Sequence, residues 1–139
     1  MALMEFADRE TKTIRASAAL TTGFVAATFT MANGAVATSW NMEGANFLAL
    51  SLAFPIAASG FQLKIEYSDD KSAWYQDTDR TTANPTLGIQ ANKTYVDQFI
   101  AAGNYYKKYY PVIADFVKVS AIAIAGTPVL AIKATKARV

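Results

Sequence analysis

The segment "FQLKIEYS", Phe61 to Ser68, sets Phe61, Leu63, Ile65 and Tyr67 on one side of an extended chain and Gln62, Lys64, Glu66 and Ser68 on the other. A period of two marks a strand with one face on a core and one in water; a helix, with its period of about 3.6, cannot satisfy it. Comparable segments fill the sequence. "KTIRASAALTT" sets Ile14, Ala16 and Ala18 against Arg15 and Ser17, and "GFVAATFTMA" sets Phe24, Ala26 and Thr28 against Val25, Ala27 and Phe29. The second runs into Asn33-Gly34 and then "AVATSWNM", which predicts two antiparallel neighbours across a hairpin. Further strands are expected in "ANFLALSLAF", "AWYQDT", "LGIQA", "TYVDQFI", "YYKKYYPVIA", "DFVKVSAIAIA" and "VLAIKATKARV", the last two joined by a turn at Gly126-Thr127-Pro128. Ile, Val, Thr, Phe and Tyr dominate these segments, which favours pleated structure.

About seven to nine short strands in 139 residues predict an all-β fold: an antiparallel β-sandwich of jelly-roll type. The division expected is an extended N-terminal arm over residues 1–12 and a single sandwich domain over residues 13–139. The opening "MALMEFADRETK" carries carboxylates early and lacks the pattern of a secretory signal. The longest apolar stretch, Phe47 to Ala58, is too short for a membrane span and holds Pro55, so no membrane partner is expected. Without a secretory signal, the acceptor pattern at Asn92 to Thr94 reads as coincidence.

What the chain lacks narrows its chemistry. It has no cysteine and no histidine. Disulfide frameworks, thiolate catalysis and the usual zinc sites require the first; Ser-His-Asp catalysis and most transition-metal sites require the second. No catalytic residue, cofactor or metal site is therefore expected, and the chain reads as a non-enzyme. Charged residues are only 17% of the chain and hydrophobic ones 53%, so some outward surface is expected to meet a partner, unless the alanines alone account for the apolar surplus.

Asp69-Asp70, between "LKIEYS" and "AWYQ", reads as a turn, because aspartate caps backbone amides there. Asp77 and Asp79 lie nearby, but the D-x-D-x-D-G spacing of a calcium loop is missing. Nothing singles out two of Glu66, Asp69, Asp70, Asp77 and Asp79 as a glycosidase pair. In "NYYKKYYP" an extended chain puts Tyr105, Lys107 and Tyr109 on one face and Tyr106, Lys108 and Tyr110 on the other. With a net charge of only +2 this reads as rim tyrosines with solvated lysines, and no nucleic-acid partner is expected. Phe6, Trp40, Trp74, Tyr75, Tyr106 and Tyr110 are the candidate interface residues.

"QLKIEYSDDKSAWYQ", followed by "YYPVIADFVKVSAIAIAGTPVLAIKA", resembles the small jelly-roll decoration, or cement, proteins of tailed bacteriophage capsids. The likeness is a pattern of strands over Leu63 to Ala134, shared at the level of fold with discoidin-like and carbohydrate-binding sandwiches. It implies a structural virion protein that assembles as a homotrimer, binds the major capsid protein and stabilises the head. Such a protein would be made in the host cytoplasm and reside on the capsid surface. A carbohydrate-binding module with Trp40, Trp74 or Tyr75 on sugar rings, or a tail or head-fibre adaptor of the same fold, is the alternative.

Overall fold

The computed structural model describes residues 9–58, 60–79, 90–91 and 101–139, and within them the chain is all-β with antiparallel pairing throughout. The long strands are β1 (Arg9–Ala19), β6 (Phe47–Phe54), β7 (Gly60–Ser68), β11 (Gly103–Tyr109), β12 (Phe116–Ala125) and β13 (Val129–Ala137). Two-residue strands lie between them: β2 (Val25–Ala26), β3 (Phe29–Thr30), β4 (Val36–Ala37), β5 (Trp40–Asn41), β8 (Tyr75–Gln76), β9 (Thr78–Asp79) and β10 (Gln90–Ala91). One main sheet runs β1-β13-β6-β11. The other runs β2-β12-β7-β8, with β5 paired to β12 as well. Among the described residues no helix is long and apolar enough to cross a membrane.

Alternation explains how the two sheets share one core. Leu48, Leu50, Leu52 and Phe54 of β6 and Leu130, Ile132 and Ala134 of β13 are buried from one side. Phe61, Leu63 and Ile65 of β7 and Val117, Val119 and Ala121 of β12 are buried from the other. The result is a sandwich-like arrangement whose outer faces carry the opposite phase of each strand.

Three expectations change. The segment from Phe24 to Met31 is not one strand. The Ala27 amide donates to Val119 of β12 and the next amide, of Thr28, donates to Ile14 of β1, so the chain passes from one sheet to the other within two residues. Phe29, beyond the crossing, is buried, while Phe24 before it stays partly exposed. In β1 the alternation expected of Ile14, Ala16 and Ala18 fails after Ile14, because register shifts flank Arg15 and turn Ala16 and Ala18 outward. Finally, residues 9–12 of the expected arm belong to β1, Arg9 pairing with Ala137 and Lys12 with Ala134. Positions 1–8 lie outside the described residues, as do all of "TYVDQFI" and the first three residues of "LGIQA".

The Asn33-Gly34 hairpin forms where the sequence places it, with Phe29 opposite Ala37 and Thr30 opposite Val36. Gly34 has φ +85° and its amide donates to Met31, while the Asn33 side chain accepts from Ala35. Only a residue tolerant of the left-handed region fits that corner.

Candidate functional site

The outer face of β1-β13-β6-β11 is assembled from the residues that alternation turns away from the core. Its two middle strands present mostly small side chains, Ala49, Ser51 and Ala53 from β6 and Ala131, Thr135 and Ala137 from β13, with Lys133 standing between Ala131 and Thr135. Its flanking strands present large ones: Arg9 from β1, and Tyr106 and Lys108 from β11. Small residues between large ones leave a trough. It consists of two adjoining cavities of about 790 and 590 Å³ that share Arg9, Tyr106 and Thr135.

The trough is cationic. Among the described residues, Arg9, Arg15, Lys108, Lys133 and Arg138 line it and no aspartate or glutamate side chain does. Arg15 is held in place: its Nε donates to the Leu130 carbonyl at 3.0 Å, and its guanidinium to the carbonyls of Ala18 and Ala19 at 3.1 and 2.9 Å. Arg9, Lys108 and Lys133, by contrast, have no ion-pair partner among the described residues. The acids lie elsewhere. Glu10 and Glu43 turn to Lys136 at 3.5 and 2.7 Å, Glu66 stands on β7, and Asp77 accepts a 2.6 Å hydrogen bond from the Tyr67 hydroxyl. Burial first, and then that bond to Asp77, pushes the Tyr67 phenol up from its ordinary value.

Asp70 makes its turn through one oxygen. Oδ1 accepts from the amides of Ser72 and Ala73 at 2.8 and 3.0 Å and from the Ser68 hydroxyl at 3.1 Å, while Lys71 takes φ +63°. Those bonds, the Ser72 amide foremost, hold its carboxyl below the ordinary range. Asp70 therefore turns the chain, as the sequence suggested. Among the described residues no three acids gather in a way that could hold a metal ion.

No family model matches this sequence, and no curated protein matches it. The six aromatic candidates fall into four situations. Tyr106 and Tyr110, 66% and 60% exposed, stand on the outer face of the trough's sheet, where Tyr110 packs at 6.2 Å from Phe47. Tyr75, 68% exposed, and the half-buried Trp74 flank the Asp70 turn, and Lys118 lies over the Trp74 ring at 4.3 Å. Trp40 is a core residue: it is 2% exposed, stacks on Phe29 at 5.2 Å and is capped by the Lys136 ammonium at 4.8 Å. It has no ring face to offer a sugar or a partner. Phe6 lies outside the described residues.

Sequence reasoning missed the trough cations because they come from separate segments. Arg9 falls in the expected arm, Lys108 in the tyrosine-lysine segment and Lys133 at the middle of the last strand. Only the pairing of β1 with β13, and of both β13 and β11 with β6, brings them onto one face.

Proposed function

We propose that this chain is a structural protein of a phage-like particle: a jelly-roll sandwich that self-associates as a homotrimer, binds the major capsid protein and reinforces the head. The observation that carries the reading is the strand order. Counting β2 and β5 together as one edge, the principal strands in chain order are β1, that edge, β6, β7, β8, β11, β12 and β13. One sheet then reads first, eighth, third, sixth and the other second, seventh, fourth, fifth. That order supports the jelly-roll reading, since a double Greek-key wrap of eight strands would give it, and jelly rolls are used widely in viral shells. Exposed apolar side chains, Ile113 at 92%, Val36 at 62% and Ile56 at 54%, add surface suited to contacts within a lattice.

A cement protein that binds only the assembled shell stabilises it by linkage: at a free concentration of about 100 Kd each occupied site contributes about 2.7 kcal/mol. Heads stripped of the protein and then reconstituted with it are expected to melt at a higher temperature, with occupancy on the order of hundreds of copies in a shell of repeated symmetric sites. About a dozen copies or fewer would assign the chain to a tail or head-fibre adaptor. No binding to heads would remove the reading. The carbohydrate alternative draws on the trough and the exposed Tyr106, a ring positioned for stacking. Glycan retention that is lost in Tyr106→Ala would favour it.

A further inference from the structure

We infer that Asn33, at the corner of the β3–β4 hairpin, is a site of spontaneous deamidation through a cyclic imide, and that the fold sets its rate by holding the hairpin closed. The inference goes beyond the proposed function and does not depend on it.

The sequence supplies the chemistry. Of the six asparagines in the chain, Asn33 alone is followed by glycine. The nucleophile in this reaction is the backbone nitrogen of the following residue, and a side chain there obstructs its approach; glycine has none and reaches backbone angles closed to other residues. The Gly34 N–H gives its proton to solvent, the nitrogen bonds to Asn33 Cγ, and the side-chain nitrogen leaves as ammonia, taking a proton back from solvent. One water then opens the five-membered imide at either carbonyl, which yields aspartate or isoaspartate. Water is the one co-reactant. Asn33 and Gly34 are both exposed, and among the described residues no heavy atom beyond the chain neighbours of Gly34 lies within 4 Å of where a side chain on it would begin. Solvent therefore reaches the corner freely.

Hydrogen bonding opposes the reaction. The Gly34 amide donates to the Met31 carbonyl at 2.9 Å, so the nucleophile is engaged within the turn. Asn33 Oδ1 accepts from the Ala35 amide at 3.0 Å, which fixes the group to be attacked. Ring closure has to release both. The hairpin around them is anchored in turn: the Met31 amide donates to the Ala35 carbonyl at 2.8 Å, Lys12 Nζ donates to the Thr30 carbonyl at 2.8 Å, and Phe29 is fully buried with its ring 5.2 Å from that of Trp40. Because β3 and β4 are two residues each, the hairpin can open without the sheets parting, and conversion in the folded chain proceeds from that open fraction.

The two products differ in what they do to the corner. Aspartate keeps a side-chain oxygen to accept from Ala35, whereas isoaspartate adds a methylene to the main chain between Met31 and Ala35 and puts their bond out of register.

The full chain, incubated at mildly alkaline pH either folded or in guanidinium chloride, tests this by fragment-ion mass mapping of each asparagine. In the unfolded chain Asn33 is expected to convert at least about tenfold faster than Asn41, Asn46 or Asn104. Folding is expected to slow Asn33 by at least about tenfold. Phe29→Leu loosens the anchor without altering Asn33 or Gly34, and is expected to raise the folded-state rate about threefold while leaving the unfolded rate unchanged; circular dichroism establishes that it is folded. An Asn33 that converts no sooner than the other asparagines when unfolded, or as fast folded as unfolded, would overturn the inference. So would a folded Phe29→Leu chain that keeps the parent's rate. The first two comparisons use the parent alone and decide the matter whether or not the variant folds.

Discussion

Among the described residues two carboxylates, Asp70 and Glu43, gain from the fold, and both do so through hydrogen bonds made by the charged form. Asp70 is held below its ordinary pKa chiefly by the Ser72 and Ala73 amides, and Glu43 chiefly by its hydrogen bond to Lys136. A folded-state pKa below the unfolded one gives stability that is present above the unfolded value and is lost as pH falls through the folded one. Urea midpoints are therefore expected to decline below about pH 4, and an Asp70→Asn/Glu43→Gln variant to show a flatter profile there. Lys136 is a different case. Its side chain follows Leu130, Ile132 and Ala134 inward, and its ammonium donates to the Asn41 carbonyl at 2.6 Å and to Glu43 at 2.7 Å. Lys136→Met keeps most of the stem over Trp40 but leaves the Asn41 carbonyl without that donor; a loss of about 2 kcal/mol is expected from chemical denaturation.

At the level of strands and turns, much of the architecture was legible. "FQLKIEYS" is β7 with Phe61, Leu63 and Ile65 buried, and the chain returns through the Asp70 turn to place Gln76 opposite Glu66 and Tyr75 opposite Tyr67. The tyrosine-lysine segment divides as its alternation implied, Tyr105, Lys107 and Tyr109 half-buried and Tyr106, Lys108 and Tyr110 exposed. Local signals sufficed in both places, because a strand phase or a turn residue is decided within a few positions. The trough was not legible, since it depends on pairings such as Thr11 with Thr135 that join opposite ends of the chain. Nor was the fate of Trp40, which depends on Phe29 arriving from across a sheet crossing. Two substitutions separate the local from the long-range contributions. Gly34→Ala forces a side chain into the left-handed region and is expected to cost about 1 kcal/mol. Leu50→Ala opens a cavity between sheets and is expected to cost about 3 kcal/mol, both read from unfolding midpoints.

For the whole molecule, charge is distributed by face. The outer surface of one sheet is cationic, whereas β7 and β12 of the other bring Glu66 opposite Lys118. A modest net charge of +2 thus conceals one strongly cationic face, and weak cation-exchange retention that falls in Lys108→Glu/Lys133→Glu more than in Lys64→Glu/Lys118→Glu would show it. The short strands at the edges of the second sheet have a further effect. On one side β12 is flanked by β2 and β5, two residues each, and on the other β7 ends against a two-residue β8. On the β12 side, among the described residues, those strands and the bonds of Ala27 to Val119 and Ala123 to Thr21 occupy the margin, so an incoming strand finds no long ladder of unpaired amides and carbonyls on which to grow. At high concentration the chain is thereby shielded from templated aggregation along that margin.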